Sequence, residues 1–511
     1  MSLLAIDIGT SRAKGVAFNA SGTILAHQES VYSPEFPRPS FAELSAETFW
    51  SAFRDLCRAI SNGLAGDPVE ALCICSHGET FVCVDSKGNA LGPAILNLDG
   101  RAAIESDWCA ETFGTKKLFA ITGLVAHPMY PLPKLIWLRK HAPEWFEAAR
   151  FLPVVSYLLE RMGLPSVVDY SLASRFLAFD ILRQCWSDEI LAIGGISVRQ
   201  LPEAVAAGTE VGKLSKEVAR ELGLTAGLPI VVGGHDQACA ALGVGAIEEG
   251  KVSDSAGTYE CLAVVTRQPQ LGDAAFAANL NSYCHVAPGL FLTLAYFPSG
   301  IMVEWFCDLI YGRCKTETGA SNFADPSRYA PLEEQAPQGP TGLCITPNLI
   351  GTCHPDFNPQ ARGVIWGIDP TSNRAQIYKG ILEGIAMEFA AIGACLEHVT
   401  GPFDVVHATG GGTRSRLGVR LRASLSGKKI HLLASPEAVC LGGAIVASVV
   451  AGRHRDISAA VRAMVKAGTV VAPDGREAAS YQEQFRRYQA LSSATRNLGQ
   501  HRSNRSKEKS Q

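Results

Sequence analysis

The fold is decided by a stretch near the start of the chain, LLAIDIGTSRAKGVAFNASG at residues 3–22. Apolar residues come first, a polar turn with one glycine follows at 7–11, and a second, mostly apolar run completes the pattern. Two such runs joined by a short polar bend are typical of a β-hairpin. A helical pattern at 46–65 and another apolar run at 71–75 follow, so the hairpin is predicted to open an α/β domain.

The second half of the chain repeats the order of strand, polar turn and strand. The apolar run at 228–232 ends in GGHDQ at 233–237, and VSDSAGT at 252–258 leads to another apolar run at 261–265. A late run at 403–408 leads into three consecutive glycines and then a helical pattern. This alternation predicts an α/β protein built in two halves.

Length fixes the expected domain organisation. The chain has 511 residues, enough for about two or three large domains at roughly 150 residues each. We place the boundary near residues 245–250, which predicts an N-terminal domain over 1–247 and a C-terminal domain over 248–490. The segment 491–511 is polar and charged, so it is predicted to be a disordered tail.

Composition excludes several classes of function. Lys and Arg number 46 against 49 Asp and Glu, a formal net charge of −3, which gives no support to a nucleic-acid binder. The charge-free run at 279–303 is interrupted by proline and glycine and makes a poor membrane span. There is no secretory signal pattern, and the 15 cysteines, an odd number, show no disulfide framework. A cytoplasmic protein without a nucleic-acid or membrane partner is expected.

The first polar turn carries residue types that bind phosphate. Gly9 lets backbone N–H groups approach an anion, the hydroxyls of Thr10 and Ser11 donate to phosphate oxygens, and Lys14 supplies a point charge. Asp7, at the end of the preceding strand, is a candidate ligand for Mg²⁺, directly or through water. The alternative is an aspartate that caps an ordinary hairpin.

Two later turns repeat the use of glycine. Gly257 and Thr258 form a smaller version of the phosphate-binding turn, although Gly-Thr turns are common. Three glycines at 410–412 end a strand before a helix and permit close approach of a flat ligand or a phosphate. They do not form G-x-G-x-x-G with a downstream acid, so a dinucleotide site is not favoured, and the Walker A pattern is absent.

Asp236 is the strongest single candidate for a catalytic group. It follows an apolar strand and two glycines and precedes a helix of small residues. A carboxylate in this position can accept a proton from a substrate hydroxyl. The alternative is an N-cap for the helix that starts near Gln237, and the two roles are compatible.

Taken in order, these motifs resemble those of the FGGY carbohydrate kinases, a family that includes glycerol kinase, xylulokinase and fuculokinase. The resemblance spans about residues 3–490. It is carried by residues 7–14, LNLDGR at 96–101, DYSLASR at 169–175, GHDQ at 234–237, SAGT at 255–258, EGI at 383–385, TGGG at 409–412 and LGGA at 441–444. It implies two actin-like ribonuclease-H-type domains that flank a central cleft, where ATP, Mg²⁺ and a sugar meet, and a homodimer is expected.

The resemblance also implies a role for each candidate residue. Asp236 acts as the general base and shares Mg²⁺ with Asp7. The nucleotide is bound by Gly9, Thr10, Ser11, Lys14, Gly257, Thr258, Gly411, Gly412 and Ser415. The substrate is bound by His77, Glu79, Asp99, Arg101 and Gln237. Asp99 and Arg101 have the alternative of pairing with each other, and His77 and Glu79 that of forming a solvated loop.

The substrate side departs from glycerol kinase, which carries Arg-Glu where this chain has Gly78-Glu79. Gly78 is therefore predicted to leave space for a substrate longer than glycerol, a ketose (pentulose or hexulose) or a polyol. Our register places Met129, and not Tyr130, at the family's sugar-binding tyrosine. The basic helix at 414–422 is interpreted as a solvated face.

Two other functions remain open from the sequence. One is an actin-like nucleotide-binding sensor or assembly protein with reduced catalysis, against which Asp7, Asp236 and Thr258 argue. The other is an actin-like phosphotransferase or phosphatase that acts on carboxylates or polyphosphate. The polar set of Glu79 and its neighbours favours polyol recognition instead.

Overall fold

The computed structural model describes residues 1–64, 66–312 and 326–495. Their strands are β1 (Ser2–Ile8), β2 (Arg12–Phe18), β3 (Ile24–Val31), β4 (Glu43–Leu44), β5 (Val69–Ser76), β6 (Phe81–Val84), β7 (Ala94–Ile95), β8 (Arg150–Pro153), β9 (Val167–Asp169), β10 (Phe179–Asp180), β11 (Cys185–Trp186), β12 (Glu203–Val205), β13 (Glu210–Lys213), β14 (Pro229–His235), β15 (Val252–Ala256), β16 (Tyr259–Thr266), β17 (Asn281–Cys284), β18 (Phe291–Pro298), β19 (Cys344–Thr346), β20 (Val364–Trp366), β21 (Val405–Thr409), β22 (Lys429–Leu433) and β23 (Ala467–Val471).

The helices lie between these strands in chain order. They are α1 (Ala46–Gly63), α2 (Ala103–Phe113), α3 (Thr115–Thr122), α4 (Pro131–His141), α5 (Pro143–Ala148), α6 (Val154–Arg161), α7 (Tyr170–Ser174), α8 (Asp188–Gly194), α9 (Lys216–Leu222), α10 (Asp236–Gly243), α11 (Asp273–Ala277), α12 (Gly300–Tyr311), α13 (Ala330–Glu334), α14 (Arg374–Thr400), α15 (Arg416–Ser426), α16 (Ala438–Val450), α17 (Ile457–Met464) and α18 (Gly475–Thr495).

Two large mixed sheets organise the molecule. The first has the strand order β13-β14-β5-β1-β2-β3 and the second β17-β18-β16-β15-β21-β22-β23. The strands of the first sheet end at residue 235 and those of the second begin at residue 252, and helices alternate with strands in both halves. This is the two-part α/β architecture predicted from the sequence.

In the first sheet, parallel strands bring three polar chain segments to one edge. β1 runs parallel to β5, which runs parallel to β14, with Ile8 opposite Ser76 and Ser76 opposite His235. Ligands bind at the carboxyl ends of strands in such sheets, because the strands stop there and the loops begin. The edge presents Asp7, the turn that starts at His77, and Asp236 at the start of α10.

In the second sheet, β15 lies parallel to β21, with Ser255 opposite Thr409. The turns after these strands meet closely at Gly410, which has φ +93°, and a Cβ there would lie 2.6 Å from the carbonyl oxygen of Ala256. Glycine is therefore required at this point for both conformation and space. The contact places the turn at Gly257 beside the three glycines.

The two halves share a core through crossing helices. α16, which belongs to the second half of the chain, packs on α10 and on β1, β5 and β14 of the first sheet. Leu441 and Ile445 of α16 join one buried apolar cluster with Leu3 and Ala5 of β1. The helices approach closely because both carry glycine: a Cβ on Gly442 would lie 2.0 Å from the carbonyl oxygen of Cys239.

The crossing yields a prediction for Gly442→Ala. The added methyl group meets a backbone carbonyl that cannot move aside as a side chain can, so we expect the free energy of unfolding to fall by about 1–3 kcal/mol. Gly393→Ala in α14 is the matched control, because its Cβ would make an ordinary contact of 3.9 Å with Phe403 and alanine favours a helix. Urea denaturation of both variants checks this, and equal stability of the two would contradict it.

Several predictions can be compared with the described residues. The hairpin is confirmed as antiparallel β1 and β2, and the helical pattern at 46–65 as α1. The tail was placed too early, since residues 491–495 complete the last helix, while 496–511 lie outside the described residues. In the described part of the chain, every helix is too short or too polar to span a bilayer.

Candidate active site

A cavity of about 450 Å³ opens between the two halves at the strand ends of the first sheet. The first half contributes Thr10, His77, Gly78, Glu79, Asn97, Leu98, His127, Met129, Arg175, His235, Asp236 and Gln237 to its wall. The second half contributes Tyr259, Cys261, Tyr283, Leu294, Tyr296, Ile350, Thr352, Cys353, Phe357 and Pro359. Thr10 of the first polar turn and the carboxylate of Asp236 thus face one cavity.

Asp236 is held at the cavity wall by the junction of β14 and α10. Its Oδ1 accepts a hydrogen bond of 2.6 Å from the backbone N–H of Gln237. Burial, together with the negative charge of Glu79, raises the pKa of Asp236 to about 7. A carboxylate with a pKa near neutrality suits proton transfer better than an ordinary aspartate.

Asp7 lies at the same strand edge. Its Oδ1 is buried and accepts no hydrogen bond from the residues that the structure describes. Burial raises the pKa of Asp7 well above its usual value, and the negative charge of Asp236 raises it further. Two partly buried carboxylates, of which Asp236 disfavours the charge on Asp7, fit a divalent cation with a preference for oxygen ligands.

His77 and Glu79 form the wall on the side of β5. His77 uses both ring nitrogens, Nδ1 with the carbonyl oxygen of Ile8 at 2.8 Å and Nε2 with the hydroxyl of Thr80 at 2.7 Å. Burial lowers the pKa of His77 below its usual value, so the ring is neutral. Glu79 is buried as well, and its Oε1 accepts a hydrogen bond of 2.6 Å from Nε of Arg175. The predicted alternative of a solvated loop is therefore wrong.

The prediction that Gly78 leaves space for a longer substrate is also wrong. A Cβ at Gly78 would lie 2.8 Å from Cδ2 of His235 and 3.1 Å from Cγ of Arg175. These two side chains fill the volume beside Gly78.

Asp99 and Arg101 adopt the pairing that the sequence left as their alternative. Nη2 of Arg101 lies 2.8 Å from Oδ2 of Asp99, and it also donates to Glu43. Oδ2 of Asp99 accepts from the backbone N–H of Ala42, and neither residue lines the cavity. The pair shapes the loop behind the cavity, and this corrects the prediction of direct sugar contact.

The ammonium group of Lys14, which is predicted to bind a phosphate, forms an ion pair with a carboxylate of the protein. Its Nζ lies 2.9 Å from Oε2 of Glu437, which immediately precedes α16, and Oε1 of Glu29 is 4.0 Å away. The pair joins the first sheet to the second half of the chain. Because Glu437 already neutralises the ammonium, the geometry favours a role for Lys14 in joining the halves.

Of the turns predicted to bind the nucleotide, those at 257–258 and 411–415 lie at the edge of the second sheet. Thr258 is exposed, while Gly411, Gly412 and Ser415 border a small cavity together with Tyr378. The hydroxyl of Ser415 accepts the backbone N–H of Gly418 at 2.9 Å and caps α15.

The helix after these glycines has the predicted solvated face at Arg414, Arg416 and Arg420, which are exposed, and departs from it at Arg422. Arg422 is buried, and its Nε and Nη2 each lie 2.6 Å from a carboxylate oxygen of Glu260. The hydroxyl of Ser299 donates to the same carboxylate at 2.7 Å. This ion pair holds α15 against β16, directly after Thr258.

Comparison with known proteins decides the family. The model of the FGGY family of carbohydrate kinases, N-terminal domain, matches residues 2–243, and that of the C-terminal domain matches residues 252–451. The chain belongs to the FGGY family of carbohydrate kinases. It is accordingly a sugar kinase that uses ATP as phosphate donor.

Relatives of this FGGY kinase include enzymes for different sugars. It is 29% identical to the xylulose kinase of Escherichia coli strain K12 over 96% of this chain and 99% of that protein. It is 25% identical to the gluconokinase of Bacillus subtilis strain 168 over 88% of each chain. The solved gluconate kinase of Lactobacillus acidophilus shares the fold, with a TM-score of 0.87 at 22% identity over 98% of this chain and 99% of that one.

Sequence reasoning missed several cavity residues of this FGGY kinase. Arg175 and His235 lie inside motifs that were recognised, so the local signal for them existed. Tyr283, Tyr296 and Phe357 reach the cavity from the second half, where no spacing along the chain indicates that they meet Asp236. Met129 lines the cavity and Tyr130 is buried behind it, as the predicted register requires.

Proposed function

We propose that this kinase transfers the γ-phosphoryl group of ATP to a hydroxyl of an uncharged sugar, most readily a ketose (pentulose or hexulose) or a polyol, with Asp236 as general base. The observation that carries the proposal is the position of Asp236 in the wall of a cavity shared by both halves, with a pKa near 7. Asp236 orients the attacking hydroxyl and accepts its proton.

Asp7 and Asp236 are the residues that would hold Mg²⁺. The buried oxygen of Asp7 without a partner and the adjacent carboxylate supply ligands of the type that this ion prefers. When bound, the ion neutralises charge on the phosphate oxygens. The protein keeps both carboxylates in place through β1 and the start of α10.

The remaining candidates are assigned to the nucleotide and to the sugar. Thr10, Ser11 and Thr258 face the phosphates through N–H and hydroxyl donors. Gly9 and Gly257, whose N–H groups donate to the carbonyl oxygens of Arg12 and Tyr259, allow the phosphates to approach the backbone closely. Gly411, Gly412 and Ser415 lie against the adenosine, where the small side chains permit close approach. His77, Glu79 and Gln237, together with Arg175, bind hydroxyl groups of the sugar.

The charges of the cavity favour an uncharged sugar over an aldonate. Among the described residues that line it, Arg175 is the cation with a fixed charge, and it is already paired with Glu79. The carboxylate of gluconate would lie near Glu79 and Asp236. Nη1 of Arg175 has no partner among the described residues, but the positive charge of this arginine already compensates Glu79, and desolvation of a further charge is costly. The cavity thus resembles a site for hydroxyl groups.

The test is ADP release with a panel of pentuloses, hexuloses, polyols, aldoses and gluconate. We expect the highest kcat/KM for a ketose or polyol, at least about 10-fold above gluconate, since one uncompensated charge costs more than about 1.4 kcal/mol. Preference for gluconate would contradict the uncharged-sugar proposal. If no compound of the panel causes ADP release while the protein still binds ATP, the result would favour a nucleotide-binding sensor.

A further inference from the structure

A buried lysine stands beneath the cavity and takes no part in the chemistry described so far. Lys134 lies on α4, is fully buried, and has no ion-pair partner among the described residues. Instead, its Nζ donates to the carbonyl oxygens of Leu96 at 2.6 Å, Met129 at 2.7 Å and Glu79 at 3.5 Å.

The three carbonyl groups come from three separate turns. One follows β5 and carries Glu79, one follows β7 and leads from Leu96 to Asn97, and one precedes α4 and carries Met129. Glu79, Asn97 and Met129 all line the cavity. A single ammonium group, with three N–H donors, therefore ties together the backbone of the turns that form one side of the cavity.

The backbone conformation of Glu79 explains why these hydrogen bonds from Lys134 are needed. Glu79 has φ +63°, a conformation that a side chain other than glycine adopts at a cost. Its carboxylate must nevertheless meet Arg175 at 2.6 Å. A buried charge is costly unless several hydrogen bonds compensate it, and bonds from a charged donor are about twice as strong as neutral ones. Burial of the Lys134 ammonium group therefore costs free energy, and its hydrogen bonds to the three carbonyl oxygens offset that cost.

We propose that Lys134 is a positioning residue of the sugar site, whose ammonium group fixes the three turns that present Glu79, Asn97 and Met129 to the substrate. The inference rests on the proposed function, because it takes this cavity as the sugar site. Its effect falls on sugar binding, since its three bonds lie on the sugar side. The turn assigned to ATP contacts this side through a long hydrogen bond of 3.3 Å, from the hydroxyl of Thr10 to Oδ1 of Asn97.

Lys134→Met tests the proposal, because methionine keeps much of the volume and removes the donors. Lys140→Met is the matched control on the same helix: its Nζ is 3.2 Å from Glu105 and its side chain is 43% exposed. We expect the KM for the sugar to rise at least about 10-fold in Lys134→Met, while the KM for ATP and kcat stay within about threefold. Equal rises in both KM values, or a sugar KM like that of Lys140→Met, would overturn the proposal.

Hydrogen exchange separates this inference from the proposed substrate. The backbone amides of residues 77–80, 96–98 and 127–130 are expected to exchange at least about 10-fold faster in Lys134→Met, and unchanged in Lys140→Met. Unaltered exchange in these turns overturns the inference even where a ketose proves to be the substrate. Failure of the ketose panel with faster exchange affects only the proposed substrate.

If Lys134→Met does not fold, the pH dependence of sugar binding tests the proposal without a substitution at Lys134. Burial lowers the pKa of Lys134 to about 7, against the opposing charges of Asp99 and Glu79, while Arg101 lowers it further. His77 and His127 also face it; burial lowers the pKa of His77 below its usual value and that of His127 to about 4. Above its pKa the neutral amine of Lys134 has two N–H donors for three carbonyl oxygens, so one of the three hydrogen bonds is lost as the pH rises.

The series is measured as sugar binding to Asp236→Asn, in which residue 236 no longer titrates. The Kd for the sugar is expected to rise at least about threefold between pH 6 and 8.5, the loss of about one weak hydrogen bond. A constant Kd over this range would overturn the proposal.

Discussion

Asp236→Asn is expected to lower kcat by at least about 10²-fold, within the range for a lost general base. Asparagine matches the shape of the carboxylate and still accepts the N–H of Gln237, so α10 should keep its position. It cannot take up the proton of the sugar hydroxyl, and it offers Mg²⁺ a weaker ligand. The KM for the sugar is expected to stay within about threefold, which separates a loss of chemistry from a loss of binding.

The matched control for this variant is Asp188→Asn. Asp188 is also the first residue of a helix, α8, but it is exposed and lies outside the cavity wall. The control therefore reports the cost of losing a negative charge at a helix start, about 0.3–1 kcal/mol, without any change in turnover. Steady-state kinetics of both variants is the measurement, and near-normal turnover of Asp236→Asn would remove Asp236 from its assigned role.

Arg422→Met is expected to have the largest effect on stability. Among the described residues, it leaves the fully buried carboxylate of Glu260 with the hydroxyl of Ser299 as its one side-chain donor. Breaking a buried ion pair on one side costs about 3–5 kcal/mol, because the remaining charge stays without compensation. The free energy of unfolding, measured with urea, should fall by that amount.

Arg420→Met supplies the comparison on the same helix. Its Nε lies 3.2 Å from Glu477, but the side chain is 52% exposed, so the pair is worth about 1 kcal/mol or less. Glu260 follows Thr258 by two residues, so Arg422→Met should also raise the KM for ATP more than Arg420→Met does. If the two variants were equally stable, the buried pair would not hold the second half together.

The parts of the structure that could be predicted from sequence are those with a local signal. The hairpin of β1 and β2 and the helix α1 follow from the spacing of apolar residues within about 20 positions. The order of the motifs identified the family, because each motif is a turn whose glycines and hydroxyl groups lie next to one another in the chain. Asp236 stands out for the same reason, and its role as general base stays a prediction.

The parts that could not be predicted depend on pairs far apart in sequence. Glu79 meets Arg175 and Glu260 meets Arg422 only because the sheets bring them together, and no spacing indicates either pair. The sequence therefore predicts a solvated Arg422, and it predicts free space beside Gly78 that His235 fills. A positive charge in a helical pattern does not show whether a carboxylate faces it from another strand.

The packing of α16 on the first sheet also constrains how the chain is made. Residues 1–247 leave the ribosome with the face of β1 and β5 uncovered, because the helix that covers it is encoded about 200 residues later. Translation proceeds at roughly 5–20 residues per second, so this face stays exposed for about 10–40 s before α16 has been synthesised. A nascent chain of that length is therefore a ready client for chaperones, and slower translation of the second half should increase its aggregation.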